Sequence, residues 1–149
     1  MEEDTHSKFI KIIRGISGTG KSTLAHKLAE ENSVEYTTVV ETDMWFERYT
    51  GWEFNSSELK NAHMWCQLTV EKAMREGNSV IVANTFCKKW EFSRYIELAF
   101  KYDMSYMVIK CVGEFDNIHN VPLKILEQQK RKWEDFPNEI IYDGGNNSL

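Results

Sequence analysis

Eight residues, "GISGTGKS" at 15–22, have the spacing G-x-x-x-x-G-K-[ST] of a phosphate-binding loop, with Gly15, Gly20, Lys21 and Ser22 at the defining positions. Glycines let a backbone curl until its N–H groups point inward at an anion. A helix that starts at the end of the loop adds the positive end of its dipole. Lys21 supplies a point charge for β- and γ-phosphates, and Ser22 a hydroxyl for Mg²⁺. The nucleotide cradle is expected to comprise Gly15, Ser17, Gly18, Thr19, Gly20, Lys21, Ser22 and Thr23.

Phosphate chemistry also needs an acid and a cation. Asp43, read as the end of a second strand, is the candidate to accept a proton from an acceptor hydroxyl and, with Ser22, to hold the metal. The alternative for Asp43 is a helix cap for "MWFERY". A cationic lid is sought after the fourth strand, among Lys124, Lys130, Arg131 and Lys132. Arg131 is the residue chosen to stabilise transition-state charge and cover the base; the competing reading is a solvated basic helix face. Trp45, within the aromatic stretch 44–54, is placed on the substrate side as a base-stacking ring or else caps the sheet edge.

The flanking elements position these groups. "FIKIIRG" (9–15) reads as a strand and 21–32 as a helix with Leu24, Ala25, Leu28 and Ala29 on one face. Strands follow at 36–43, 79–86 and 105–113, and helices at 57–77, 90–103 and 121–134, where Pro122 suits a first turn. The tail is expected to add one brief strand. Strands alternating with helices imply an α/β three-layer fold, a parallel sheet flanked by helices, in a single domain over 1–149 with a C-terminal helical lid. Ligands in such sheets sit beyond the carboxyl ends of the strands, here 15–22, Asp43, 83–86 and 113–117.

Composition narrows the classes. The chain has 149 residues, 42% hydrophobic and 28% charged, and a net charge of −5. No apolar run is long enough for a membrane helix, and the acidic start lacks a signal core. The acidic balance leaves nucleic-acid contact only to local basic patches, "CKKW" at 87–90 and "KRKW" at 130–133. Cys66, Cys87 and Cys111 form no CxxC pair and read as reduced cytosolic thiols, with no disulfide-linked partner and no membrane association.

The loop, "ETDMWF", "AHMW", "VIVANT", "KKWEFSRYIELA" and "HNVPLKILEQ" occur in an order and at distances that resemble one group of P-loop kinases. That group includes phage polynucleotide 5′-hydroxyl kinase and the ATP-binding, kinase-like module of ubiquitin-ligase-binding proteins. The resemblance implies ATP with Mg²⁺ and transfer of the γ-phosphate to a hydroxyl of a nucleic acid, nucleoside or small molecule. It also implies a cytoplasmic protein, in a host cytoplasm if phage-encoded. By position Asp43 matches the group's general base, Lys21 and Ser22 its phosphate and metal ligands, and Asn84 and Thr85 the segment approaching the acceptor. His63 and Trp65 match the "AHxW" helix, in a substrate or a packing role. Four positions depart from the pattern: Ala83 and Phe86 flank "NT" where relatives carry an Asp and an Asn, Phe46 replaces an acceptor-phosphate arginine, with Arg48 two residues on as the substrate-binding candidate, and Asp116 stands where an arginine precedes the lid turn. A nucleotide-binding module without transfer and a slow ATPase therefore remain alternatives.

Overall fold

The computed structural model describes residues 8–31, 37–50, 56–113 and 121–144, without the side chains of residues 47–50 and 56. Five strands, β1 (Phe9–Arg14), β2 (Thr37–Glu41), β3 (Ser79–Ala83), β4 (Ser105–Cys111) and β5 (Ile140–Tyr142), form one sheet in the order β2-β3-β1-β4-β5. Every pairing is parallel. The helices are α1 (Lys21–Glu31), α2 (Thr42–Thr50), α3 (Leu59–Arg75), α4 (Trp90–Lys101) and α5 (Leu123–Lys132). None is long and apolar enough to cross a membrane.

Helices cover both faces of the sheet. On one face Ile10, Ile12, Val80, Val82 and Val108 pack against Cys66, Val70 and Met74 of α3 and Phe92, Tyr95 and Leu98 of α4. On the other, Ile13, Ile81 and Ile109 pack against Leu24, Ala25 and Leu28 of α1. A central strand enclosed in this way has no solvent side, so β3 is buried at all five positions. The same enclosure buries Arg14 completely at the end of β1.

Arg14 meets its donors' needs through distant segments. Nε and one terminal nitrogen donate to the Phe86 carbonyl at 3.0 and 2.8 Å, and the same terminal nitrogen reaches the Glu134 carbonyl at 2.7 Å. The other terminal nitrogen pairs with Glu139 Oε1 at 2.9 Å. The guanidinium also lies over the Phe92 and Trp133 rings, at 4.6 and 4.0 Å from their centroids. The chain after α5 is thereby clamped to the segment after β3. Phe86 adopts a left-handed φ of 47° there while its ring packs on Phe92 and Tyr95.

Several boundaries differ from the sequence reading. β2 stops at Glu41, so Asp43 lies in the first turn of α2 and not at a strand end. β3 stops at Ala83 and β4 at Cys111, two or more residues before the expected limits of 86 and 113. α3 ends at Arg75 because Gly77, at φ 86°, turns the chain while Asn78 N–H caps the Ala73 carbonyl. The brief C-terminal strand forms, as β5. All three cysteines are unpaired and buried.

Candidate phosphate-binding site

β1 lies between β3 and β4, and the loop that leaves it crosses the carboxyl end of the sheet. Gly15 N–H donates to the Thr85 carbonyl and Asn84 N–H to the Ile13 carbonyl, which prolongs the β1–β3 pairing into the loop. Gly15 is demanded by close approach: a Cβ there would lie 2.6 Å from Thr19 Oγ1 and 2.8 Å from the Cys111 carbonyl oxygen. Gly18 and Gly20 are demanded by backbone, with φ of 82° and 88°. α1 begins at Lys21, so its positive end faces the loop.

The loop borders a cavity of about 310 Å³. Of the expected cradle residues, Ser17, Gly18, Gly20, Lys21, Ser22 and Thr23 line it. Asp43, Asn84 and Thr85 line it from across the sheet, so the structure brings these expected residues to one place. Thr19 turns away, its hydroxyl donating to the Ile16 carbonyl at 2.8 Å, and Gly15 lies beneath the loop. Lys21 Nζ donates to the Ile16 carbonyl at 3.0 Å. Burial lowers its pKa from the usual lysine value, with Asp43 and Glu41 among the charges opposing that shift.

Trp45 and Arg131 are not gathered there. Trp45 lies edge-on against Phe46, with centroids 5.3 Å apart, and lines neither this cavity nor the next. The side chain of Arg48 and the whole of Asp116 fall outside the described residues. Arg131 is exposed on α5; Lys130, one residue earlier, lines a second cavity of about 610 Å³ between the loop, the end of β4 and α5. Leu123, Leu126 and Trp133 give that cavity an apolar wall, and Ser17 and Gly18 border both cavities.

Sequence reasoning missed two groups in the first cavity. Glu41, taken only as part of a strand, accepts a hydrogen bond from Ser22 Oγ at 3.2 Å and lies 3.6 Å from His26 Nε2. Burial raises its pKa above the usual carboxylate value, and the Ser22 hydrogen bond works against that. Its signal was an acid two residues before Asp43 at the same strand end. Thr42 also lines the cavity: its hydroxyl takes a short hydrogen bond from Asn84 Nδ2 and one at 3.7 Å from the Cys66 thiol. Asn84 Nδ2 also meets His63 Nδ1 at 3.4 Å, while Asn84 Oδ1 accepts from Thr85 N–H at 2.8 Å. Burial lowers the His63 pKa, which favours the neutral ring that accepts this bond. Asn84 is thus held by Thr42, His63 and Thr85, and His63 acts from behind the cavity wall.

Among the described residues no three His, Cys, Asp or Glu side chains are grouped to hold a metal. Mg²⁺ needs less: it keeps several waters and takes one or two carboxylates together with phosphate oxygens. The hard oxygens of Ser22 and Glu41, adjacent at the loop, fit that demand.

A parallel sheet with this loop on its central strand and helices on both faces defines a P-loop kinase-like fold. The profile of the family described as "AAA domain" (AAA_33) matches residues 10–118, and the chain belongs to that family. Human NEDD4-binding protein 2 is 33% identical over 92 residues, which are 61% of this chain; the match covers 5% of that much longer protein. The Mycobacterium tuberculosis APS kinase CysC in complex with AMPPNP and APS superposes with a TM-score of 0.67 at 11% identity, over 95% of this chain and 91% of that one. A chain of the Pnkp1/Rnl/Hen1 RNA repair complex superposes with a TM-score of 0.60 at 17% identity, over 91% of this chain and 42% of that one. At these identities the solved structures speak to the fold alone.

Proposed function

We propose that this domain is an ATP-dependent phosphotransferase that moves the γ-phosphate to a hydroxyl of a nucleic acid, nucleoside or small molecule. The observation that carries the reading is that Lys21 and Ser22 of the loop share one cavity with the exposed carboxylate of Asp43. Loop N–H groups and the start of α1 bind the β- and γ-phosphates, and Lys21 places a cation among them. Ser22 and Glu41 hold Mg²⁺, which when bound neutralises phosphoryl charge. Asp43 accepts the proton of the attacking hydroxyl. The nucleobase lies in the second cavity against Leu123, Leu126 and Trp133, with Lys130 or Arg131 covering it from α5. The single-domain organisation and a cytoplasmic location belong to the same reading, the latter supported by three reduced, buried thiols.

A second reading, ATP binding without transfer, is favoured by Phe46. It is buried in α2 at the position where polynucleotide kinases carry a cation for the acceptor phosphate, so it offers an acceptor none.

Transfer from γ-labelled ATP with Mg²⁺ to 5′-hydroxyl DNA, 5′-hydroxyl RNA, modified-base DNA and a nucleoside pool tests the choice. Label is expected on one acceptor class and is expected to fall by on the order of 10²–10⁴ in Asp43→Asn, the size of a general-base contribution. Bound ATP with no labelled acceptor overturns the phosphotransferase in favour of the binding module.

A further inference from the structure

α5 is attached to the fold at two places of different character. Its C-terminal end runs into Trp133 and Glu134, which Arg14 holds from within the core. Along its length α5 buries no residue. Among the described residues, Gln129 is the one α5 side chain that hydrogen-bonds to the rest of the fold, and both its bonds go to Ser17. Gln129 Oε1 accepts the Ser17 N–H at 2.9 Å, and Gln129 Nε2 donates to Ser17 Oγ at 3.0 Å.

Ser17 borders both cavities, so this paired contact sits where the phosphate end and the apolar end of the site meet. On the phosphate-loop reading, the Ser17 N–H is one of the loop donors available to an incoming anion. A phosphoryl oxygen makes a charge-assisted hydrogen bond, roughly twice as strong as the neutral bond to a glutamine amide. The two acceptors cannot both have the donor, and the phosphate wins it.

We propose that Gln129 is a phosphate-displaced latch: its amide holds α5 on the loop through Ser17, and a phosphoryl group entering the loop takes the Ser17 N–H and frees the helix to pivot at the Arg14 clamp. The proposal rests on the phosphate-loop reading above. Gln129 is a positioning residue here, acting through Ser17 and not on the reacting atoms. Because the latch competes with phosphate, removing it strengthens nucleotide binding, the opposite of what loss of a nucleotide contact or of mere support would do.

Two measurements on the whole chain test this. Calorimetry with AMPPNP and Mg²⁺ compares the unaltered chain with Gln129→Met, which keeps length and loses both bonds. The variant is expected to bind about two- to tenfold more tightly, the size of a net hydrogen-bond contribution returned to binding. Equal or weaker binding overturns the latch and leaves the loop reading intact. No binding to the unaltered chain overturns the loop reading and the latch together. The second measurement needs no altered fold: the Gln129 side-chain NH₂ signal in a ¹⁵N spectrum, assigned by its loss in the variant. It is expected to move to the position of a solvent-exposed glutamine on adding AMPPNP and to stay in place with adenosine, which lacks phosphate. A signal that ignores AMPPNP, or that adenosine moves equally, overturns the proposal.

Discussion

The Ser22 hydroxyl donates to the Glu41 carboxylate at 3.2 Å, which joins the last residue of the phosphate loop to the last residue of β2. One oxygen lies in the first turn of α1 and the other at the end of β2, and the packing of α1 along β2 brings them together. The loop hydroxyl proposed above as a metal ligand is in this way oriented by an acid from the end of β2, the strand beyond β3.

Replacing that acid with its neutral isostere keeps a hydrogen-bond acceptor for Ser22 and removes the charge. Glu41→Gln is expected to weaken divalent-metal binding by about 10- to 100-fold, the usual effect of losing a group that ligates or orients at a metal site. Titration with Mn²⁺ in the presence of AMPPNP, followed by electron paramagnetic resonance, reads the affinity without any need for turnover. An unchanged Mn²⁺ affinity removes Glu41 from the metal site.

Lys21→Ala deletes the one side-chain cation of the loop. Nucleotide affinity is expected to fall about 10- to 100-fold, the equivalent of one charge-assisted hydrogen bond. Calorimetry with AMPPNP checks this, and affinity equal to that of the unaltered chain overturns the assignment of the loop.

Arg14→Met fills a similar volume and leaves Glu139 and the Phe86 and Glu134 carbonyls without their donors. Breaking a buried pair in this way costs about 3–5 kcal/mol, so the midpoint of urea unfolding is expected to drop sharply. A loss below about 1 kcal/mol would mean that the clamp contributes no more than an exposed ion pair.

Glu71 on α3 accepts from Lys101 Nζ at 2.7 Å and from Tyr102 Oη at 2.6 Å, tying α3 to the end of α4. Those hydrogen bonds, the Lys101 one first, lower its pKa from 4.5 to about 2. A folded-state pKa below the unfolded one means that the stabilisation is complete above pH 4.5 and is lost as the pH falls toward 2. Urea unfolding between pH 6 and pH 2.5, on the order of this window, is expected to show a steeper acid loss in the unaltered chain than in Glu71→Gln. Parallel curves would show that the tie contributes nothing.

Much of the fold was legible because its signals are local. The β-branched run of β3 and the three- to four-residue spacing of Leu59, Ala62, Cys66, Val70 and Ala73 state their element and their buried face directly. The loop was legible for the same reason, since its glycines, lysine and serine recur at one short spacing. What escaped depends on contacts between distant segments. Asp43 was assigned to a strand because nothing in "VVETD" marks the step from extended to helical backbone at Thr42. Gln129 reads as one more polar residue on a polar helix until the loop is placed against it. Arg14 escaped as well, since "FIKIIR" states a strand and not what its last side chain meets. Its burial and its partners Phe86, Glu134 and Glu139 emerge only once distant segments are folded against it.

The buried thiols carry a consequence of their own. Burial pushes Cys66 and Cys111 up to about 11 and raises Cys87, so little nucleophilic thiolate exists near neutral pH while the chain is folded. An alkylating reagent therefore modifies them only through opening events, and its rate of uptake is a clock for those events. The three residues sit on the buried face of α3, beside the Arg14 clamp and against Gly15, so each times the opening of a different part of the molecule. Of the three, Cys111 keeps time for the loop, and a ligand that fills the loop should slow it most.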